Sequence, residues 1–309
     1  MKILVSGGAG FIGSNVVDAY LAAGHDVVVA DDLSTGHAHN LNPRARFARV
    51  DIRDRAAVAD LMERERPAVL NHHAAQMDVR RSVADPVFDA QVNLVGLLNL
   101  LEEGRGRGLR RVIFASSGGT VYGDNDRLPA REGDPTAPLC PYGVTKLGSE
   151  HYLHYYARIY DIHWVALRYA NVYGPRQDQH GEAGVVAIFA GQLLRGEQPV
   201  ITGTGTQTRD YVYVGDVARA NLLALECEFC GALNVGTGVE TEVNQLFALL
   251  CQATGVSAEE RHGPAKAGEQ FRSVLDPSRA QAALGWTAAV PLAEGLQRTV
   301  DFVRQRLAV

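Results

Sequence analysis

Along the first 170 residues apolar positions come in short bursts, and two periods take turns. The run at residues 2–5 reads as a strand, followed by glycines and a helical pattern over 11–23 that stops at Gly24. Residues 27–30 and 47–50 read as a second and a third strand, and 54–64 as a helix with Asp54 as its N-cap. Residues 68–71 predict a fourth strand, 87–103 a long amphipathic helix and 112–115 a fifth strand. A helix over 141–160 opens with a proline in its first turn, where helices tolerate one, and 164–168 predicts a sixth strand. Strands alternating with helices of this length predict βαβ units, hence an α/β fold with a doubly wound, mostly parallel sheet.

After Asn171 the rhythm changes. Gly174, Gly181, Gly184, Gly196, Gly203 and Gly205 break the chain into shorter apolar segments, which predicts a smaller, loop-rich α/β unit. GDVARANLLAL reads as a helix and ALNVGTG as a strand with a glycine turn, so the chain is expected to revisit the first sheet around 216–236. Two domains follow: 1–170 with that return, and 171–309.

Composition narrows the function. The 309 residues carry a net charge of −5 with no basic stripe, so no nucleic-acid partner is expected; the stretch 105–111 reads as a solvated turn. The start of the chain lacks the features of a secretory leader, so none is expected, and no apolar run approaches the roughly 18 residues of a membrane span. A soluble, cytoplasmic protein that meets no membrane is the expectation. Four cysteines are too few for a disulfide framework, and the Cys227-x-x-Cys230 pair lacks further ligands, so small buried thiols are expected. His72-His73 ends an apolar run, where packing is the reading and no metal is expected.

Two constellations carry chemistry. Gly7-Gly8-Ala9-Gly10-Phe11-Ile12-Gly13 lies between the first strand and first helix. Glycine at 7 and 10 lets the backbone approach a pyrophosphate, Gly13 lets the helix pack on the sheet, and the helix N-terminus offers free N–H groups. Asp31, with Asp32 beside it, ends the second strand where a carboxylate grips ribose hydroxyls and repels a 2′-phosphate, which favours NAD over NADP. Tyr142 and Lys146, four apart on a helix, share a face and suit general acid–base work.

With SSGGTVYG at 116–123, LRYANVYGPRQ at 167–177, GTGTQTRDYVYVGDVA at 203–218 and GEQFRSVLDPSRA at 268–280, the chain resembles the extended short-chain dehydrogenase/reductases over essentially its whole length. Within them it is similar to the UDP-glucose 4-epimerase-like sugar-nucleotide enzymes. The resemblance implies a Rossmann domain that keeps NAD bound, a UDP-sugar substrate and a homodimer packed through 87–103 and 141–160. Tyr142 would take the proton of the sugar 4-hydroxyl while hydride leaves C4; Lys146 would lower the tyrosine pKa and hold the nicotinamide ribose. Beside the glycine loop, the cofactor contacts implied are Asp31, Asp32, Ser34, Gly36, Asp51, Ile52, Ala74, Ala75, Gln76, Asn93, Ser116, Tyr142, Lys146 and Tyr169. On the substrate side they are Asn171, Val185, Val200, Thr202, Arg209, Lys266, Glu269 and Ser273.

Three departures bear on the reaction. Gly118 stands where the family pattern has the serine that assists the tyrosine, so Ser117 is the nearest candidate hydroxyl, with Ser116 expected to face the cofactor. Gly119 and Thr120 stand where sugar-nucleotide 4,6-dehydratases carry an Asp-Glu pair and UDP-glucuronate decarboxylases a glutamate, which leaves elimination without an agent. An NAD-binding sensor without chemistry would be expected to lose Tyr142 or Lys146, and both are present. Ser273 occupies the place where a tyrosine restricts the pocket to plain hexoses, so UDP-N-acetylglucosamine is expected to fit beside UDP-glucose.

Overall fold

The computed structural model describes residues 1–179, 184–265 and 270–307. Its strands are β1 (Lys2–Ser6), β2 (Asp26–Asp31), β3 (Arg46–Arg49), β4 (Val69–His72), β5 (Arg111–Ser117), β6 (His163–Tyr169), β7 (Asn171–Tyr173), β8 (Ile201–Thr202), β9 (Thr208–Arg209), β10 (Tyr211–Tyr213), β11 (Gly231–Val235), β12 (Thr241–Glu242), β13 (His262–Gly263) and β14 (Arg272–Ser273). The helices are α1 (Phe11–Ala22), α2 (Arg55–Glu65), α3 (Val79–Ala84), α4 (Pro86–Ala90), α5 (Gly96–Arg105), α6 (Gly118–Val121), α7 (Pro141–Tyr160), α8 (Val185–Leu194), α9 (Val214–Leu223), α10 (Val243–Thr254), α11 (Ser278–Leu284) and α12 (Leu292–Leu307).

Seven strands form one parallel sheet in the order β11-β6-β5-β4-β1-β2-β3. The order reverses between β1 and β4, and loops at the carboxyl edge beside such a switch point form the ligand crevice of doubly wound folds. Both faces are covered, as a parallel sheet requires. Val16, Val17 and Tyr20 of α1 and Val217 and Ala220 of α9 bury one face together with Ile113 and Ala115. Val58 and Leu61 of α2, Leu97 and Leu100 of α5 and Leu153 of α7 bury the other with Val112 and Phe114. A third apolar core joins α8, α10 and α12 through Phe189, Phe247, Leu250, Leu296 and Val300.

The β11 strand joins the large sheet beside β6, so the chain does return there. Asp54 caps α2 by accepting from the N–H groups of Ala56 and Ala57. The predicted single helix over 87–103 is interrupted: α4 gives way to a π turn at Gln91–Val95 before α5 resumes. An extra residue per turn is the usual mark of a site where side-chain placement outranks regularity, and Asn93 sits in it. Cys227 is half-buried, but Cys230 is exposed, which corrects the expectation of buried thiols; all four cysteines are free. In the 105–111 stretch, Arg105 pairs with Glu102 and Arg107 with Glu63 and Glu103. Among the described residues no helix is long and apolar enough to cross a membrane.

One row of side chains locks α7 onto the sheet. Ser116, Arg168 and Asn234 are register partners across β5, β6 and β11. Arg168 donates to both oxygens of Glu150 on α7, at 3.0 and 2.7 Å, and both side chains are 6% exposed. Ser116 donates to Glu150 at 2.6 Å, while Tyr122 accepts from Arg168 and donates to Asn234. Removing one partner of a buried pair strands the other charge. Glu150→Gln is therefore expected to cost about 3–5 kcal/mol in denaturant unfolding, and Glu150→Leu combined with Arg168→Met to recover most of that loss.

Candidate active site

The glycine turn is built for close approach. Gly7 has φ +73°, and a Cβ there would collide with the backbone of His73 and Ala74 in the loop after β4. A Cβ on Gly13 would collide with the carbonyl of Gly7, so α1 starts pressed against the turn. The α1 N-terminus has no side-chain cap and no acid in its first turn, which leaves its N–H groups available to an anion. The Asp31 carboxylate accepts from Ala9 N at 3.0 Å and Leu33 N at 2.9 Å, and Asp32 accepts from Ser34 N and Oγ. Gly36 packs against Asp31, where a Cβ would clash with the carboxylate. Uncapped N–H groups, a cradle that a Cβ would fill and an acid at the end of β2 fit a dinucleotide. These residues would hold its pyrophosphate and adenosine ribose.

Further along that edge, Ala74 N donates to Ser6 O, and Gln76 and Asn93 hydrogen-bond one another through Gln76's backbone. Tyr169 is buried, with its hydroxyl bonded to Asn221 Nδ2 at 2.8 Å and His73 Nε2 at 3.1 Å. His72 is buried against Ser6 and the Phe114 ring. Asp51 is held by Arg53, and the side chain of Ile52 packs into the core against Gly96.

The reactive pair lies on the first turns of α7. Lys146 is 3% exposed; its ammonium donates to Ala115 O at 2.8 Å and lies over the rings of Phe114 and Tyr142, at 4.9 and 5.6 Å from their centroids. Burial pulls its pKa down to about 8, and the charge of Asp89 opposes that fall. Burial also pushes the Tyr142 phenol above its ordinary range, while a hydrogen bond with Ser117 pulls it back. Lys146, expected to lower this phenol, is not among the influences on it, which burial dominates.

Ser117, not Ser116, meets the tyrosine. Val112 and Phe114 face α7, Ile113 and Ala115 face the opposite core, and Ser116 follows the first pair into the Glu150–Arg168 network. That corrects the expectation that Ser116 faces the cofactor: alternation turns its side chain to Glu150. Gly118 is explained by Leu275, whose buried side chain a Cβ at 118 would strike. A serine there would require the Leu275 side chain to shift.

On the substrate side, Ser273 and Arg209 are register partners in β14 and β9. Ser273 is 7% exposed. Arg209 lies along its own strand, donating to Thr208 O at 2.8 Å. Val200 and Thr202 flank Ile201 beside β13, Asn171 is exposed on β7, and Val185 opens α8. Lys266 and Glu269 lie outside the described residues. Sequence reasoning missed Asp210, fully buried, which accepts from Thr237 N and Oγ1, Gly238 N and Leu275 N and so fixes the strand ends around Arg209. It missed Asp89 and Glu150 as well; no spacing marks them, because their partners are distant in the chain.

Comparison with known proteins decides the family. A profile described as the NAD dependent epimerase/dehydratase family matches residues 3–236. The chain belongs to this family. It is similar to a UDP-glucose 4-epimerase of Mycolicibacterium smegmatis, 46% identical over 312 residues and 99% of each chain. Among solved structures, it resembles a UDP-glucose 4-epimerase of Thermotoga maritima with UDP-glucose, at TM-score 0.97 and 47% identity, covering 99% of this chain and 100% of that one. It also resembles a Thermus thermophilus UDP-glucose 4-epimerase in complex with NAD, at TM-score 0.94 and 45% identity, covering 98% and 99%.

Replacing Ser117 by alanine removes a hydroxyl bonded to the Tyr142 phenol. kcat is expected to fall by roughly tenfold to a hundredfold, with KM for the sugar nucleotide nearly unchanged, in steady-state turnover assays.

Proposed function

We propose that the chain is an NAD-dependent 4-epimerase of UDP-hexoses, acting by transient oxidation at C4, rotation of the 4-keto sugar and return of hydride to its other face. The observation that carries this reading is the Ser117–Tyr142–Lys146 constellation at the carboxyl edge of β5, where the next three residues, Gly118, Gly119 and Thr120 of α6, contain no acid. Tyr142 exchanges the proton of the sugar 4-oxygen in both directions, so it serves once as base and once as acid. Ser117 orients the phenol through its hydrogen bond, and Lys146, pinned to Ala115 O, keeps a cation beside the ring. NAD, when bound, supplies the hydride acceptor and donor. The glycine turn, α1 and the Asp31 turn would hold it, from a unit formed by 1–170 with the return at 216–236; the remainder would hold the UDP-sugar through Asn171, Arg209 and Ser273. Elimination or decarboxylation would need a second acid–base pair in the 118–120 loop.

The test is incubation of purified protein with UDP-glucose and UDP-galactose, read by NMR at the anomeric proton. Approach to the same mixture from either sugar supports the proposal, and no interconversion defeats it. Ser273 leaves space beside the sugar's C2 substituent, so UDP-N-acetylglucosamine is also a substrate on this reading. Ser273→Tyr is expected to abolish turnover of the N-acetyl sugar while UDP-glucose is still converted, because steric exclusion discriminates more sharply than a lost contact.

The working unit on this reading is a cytoplasmic homodimer. Val87, Val95, Val144, Tyr152, Tyr155 and Ile159 are exposed apolar side chains on the two helical stretches, and Gly148, His151, Tyr152 and Tyr155 line a shallow apolar pocket of about 390 Å³. A second copy covering them would remove a patch that monomers rarely expose. Sedimentation analysis is expected to give twice the chain mass, and a Val95→Glu, Ile159→Glu double variant a monomer.

A further inference from the structure

Asp89 is fully buried in the last turn of α4, two residues before the π turn begins, and its partners are three neutral groups. Oδ1 accepts from Gln76 Nε2 at 3.0 Å and Asn93 Nδ2 at 3.1 Å, and Oδ2 bonds Thr145 Oγ1 at 2.8 Å. The two carboxamides have no freedom to turn over. Gln76 Oε1 accepts from Asp78 N at 2.7 Å, and Asn93 Oδ1 accepts from Gln76 N at 2.8 Å. Both NH₂ groups therefore point at Asp89, which must receive them.

Each partner leads to the reactive centre. Thr145 precedes Lys146 and follows Tyr142 by three residues, and its hydroxyl also reaches Tyr142 O at 3.0 Å. Gln76 and Asn93 tie the loop after β4 to the π turn. We propose that Asp89 is a positioning residue of the reaction: it joins the first turn of α7, the loop after β4 and the π turn, and so sets where Tyr142 and Lys146 stand. The proposal rests on the epimerase reading.

Its charge has a second consequence. The titratable groups around Lys146 are Tyr142 and Cys140 at the start of α7, His72 and His73 on and after β4, and Asp89. Burial keeps both imidazoles neutral, His73 with a pKa near 3, and the neighbouring Arg168 and Glu150 neutralise each other; Arg80 and Arg81 of α3 are exposed. Asp89 is then the negative charge that opposes loss of the Lys146 proton. Deleting it lowers the pKa of Lys146 below about 8, so the cation is lost at a lower pH and turnover falls earlier on the alkaline side.

Asp89→Asn separates charge from geometry. An asparagine can offer its carbonyl oxygen to Gln76 and Asn93 and its NH₂ to Thr145, whose hydroxyl is then freed to donate to Tyr142 O, so each of these groups keeps a partner. Using the purified holoenzyme, the alkaline limb of the kcat–pH profile is expected to move down by roughly one unit, with Tm and bound nucleotide released on denaturation unchanged. Asp89→Ala, which removes the bonds too, is expected to lower kcat at least tenfold while KM stays within twofold, and Thr145→Val to reproduce part of that loss. An Asp89→Asn enzyme whose limb coincides with the wild type, or an Asp89→Ala loss no greater than its unfolded fraction, overturns the proposal. If the wild type itself fails to interconvert UDP-sugars, the epimerase reading falls instead.

Discussion

Charge buried around one helix governs this structure. Lys146 and Glu150 of α7, Arg168 of β6 and Asp89 of α4 are all nearly or fully withdrawn from water. An ion moved into the interior costs several kcal/mol unless its partners are well placed. Each of the four is accordingly held by fixed geometry: Lys146 by a strand carbonyl, Glu150 by a two-pronged arginine and a serine, Asp89 by three donors. A slide of α7 by one turn would break the Lys146 and Glu150 contacts and the Thr145 bond to Asp89 at once. The phenol at the start of that helix inherits the same rigidity, which is what a proton donor and acceptor requires of its scaffold.

A second constraint acts at the opposite side of the crevice. Gly7, Gly13 and the backbone of Ala74 are packed so closely that side chains are excluded, and the N-terminus of α1 is left uncapped. The strand order then matters. With β2, β1, β4 and β5 adjacent, the Asp31 turn, the glycine turn, the Ala74 loop and Ser117 line one edge in sequence. Two rigid devices, one for anionic phosphate and one for proton transfer, face a common crevice because the parallel sheet places both at carboxyl ends.

The part of this legible in the sequence is the part with local causes. The strands β1 to β6 show as apolar runs, α7 shows by its proline start, and the Asp54 cap shows by residue type. Two-residue strands such as β8, β9 and β14 have no period to detect, since their pairing is decided by neighbours far along the chain. The π turn was unreadable for a related reason: a helix-period pattern over 87–103 is compatible with one inserted residue per turn. Asp89 and Glu150 look like ordinary surface acids in a sequence. Only the fold shows that they face inward.

The serines of β5 mark the boundary between these cases. Period-two alternation from Val112 and Phe114 already assigns Ser116 to the α7 core, where it meets Glu150, so its fate follows from a local rule. The glycine at 118 does not. Its cause is Leu275, more than 150 residues away, whose buried side chain fills the volume where a side chain at 118 would stand. The same segment carries Ser273 two residues earlier, on the strand that pairs with Arg209. The space at 118, beside Ser117, and the surroundings of Ser273 are therefore coupled through one short strand, β14, and the residues after it. A substitution that relocates Leu275 would disturb the packing at 118 and the segment that carries Ser273. Glycine at 118 and leucine at 275 thus fit as a pair, since shortening Leu275 would open a void among Val121, Tyr122 and Ala130, its neighbours in a small buried cluster.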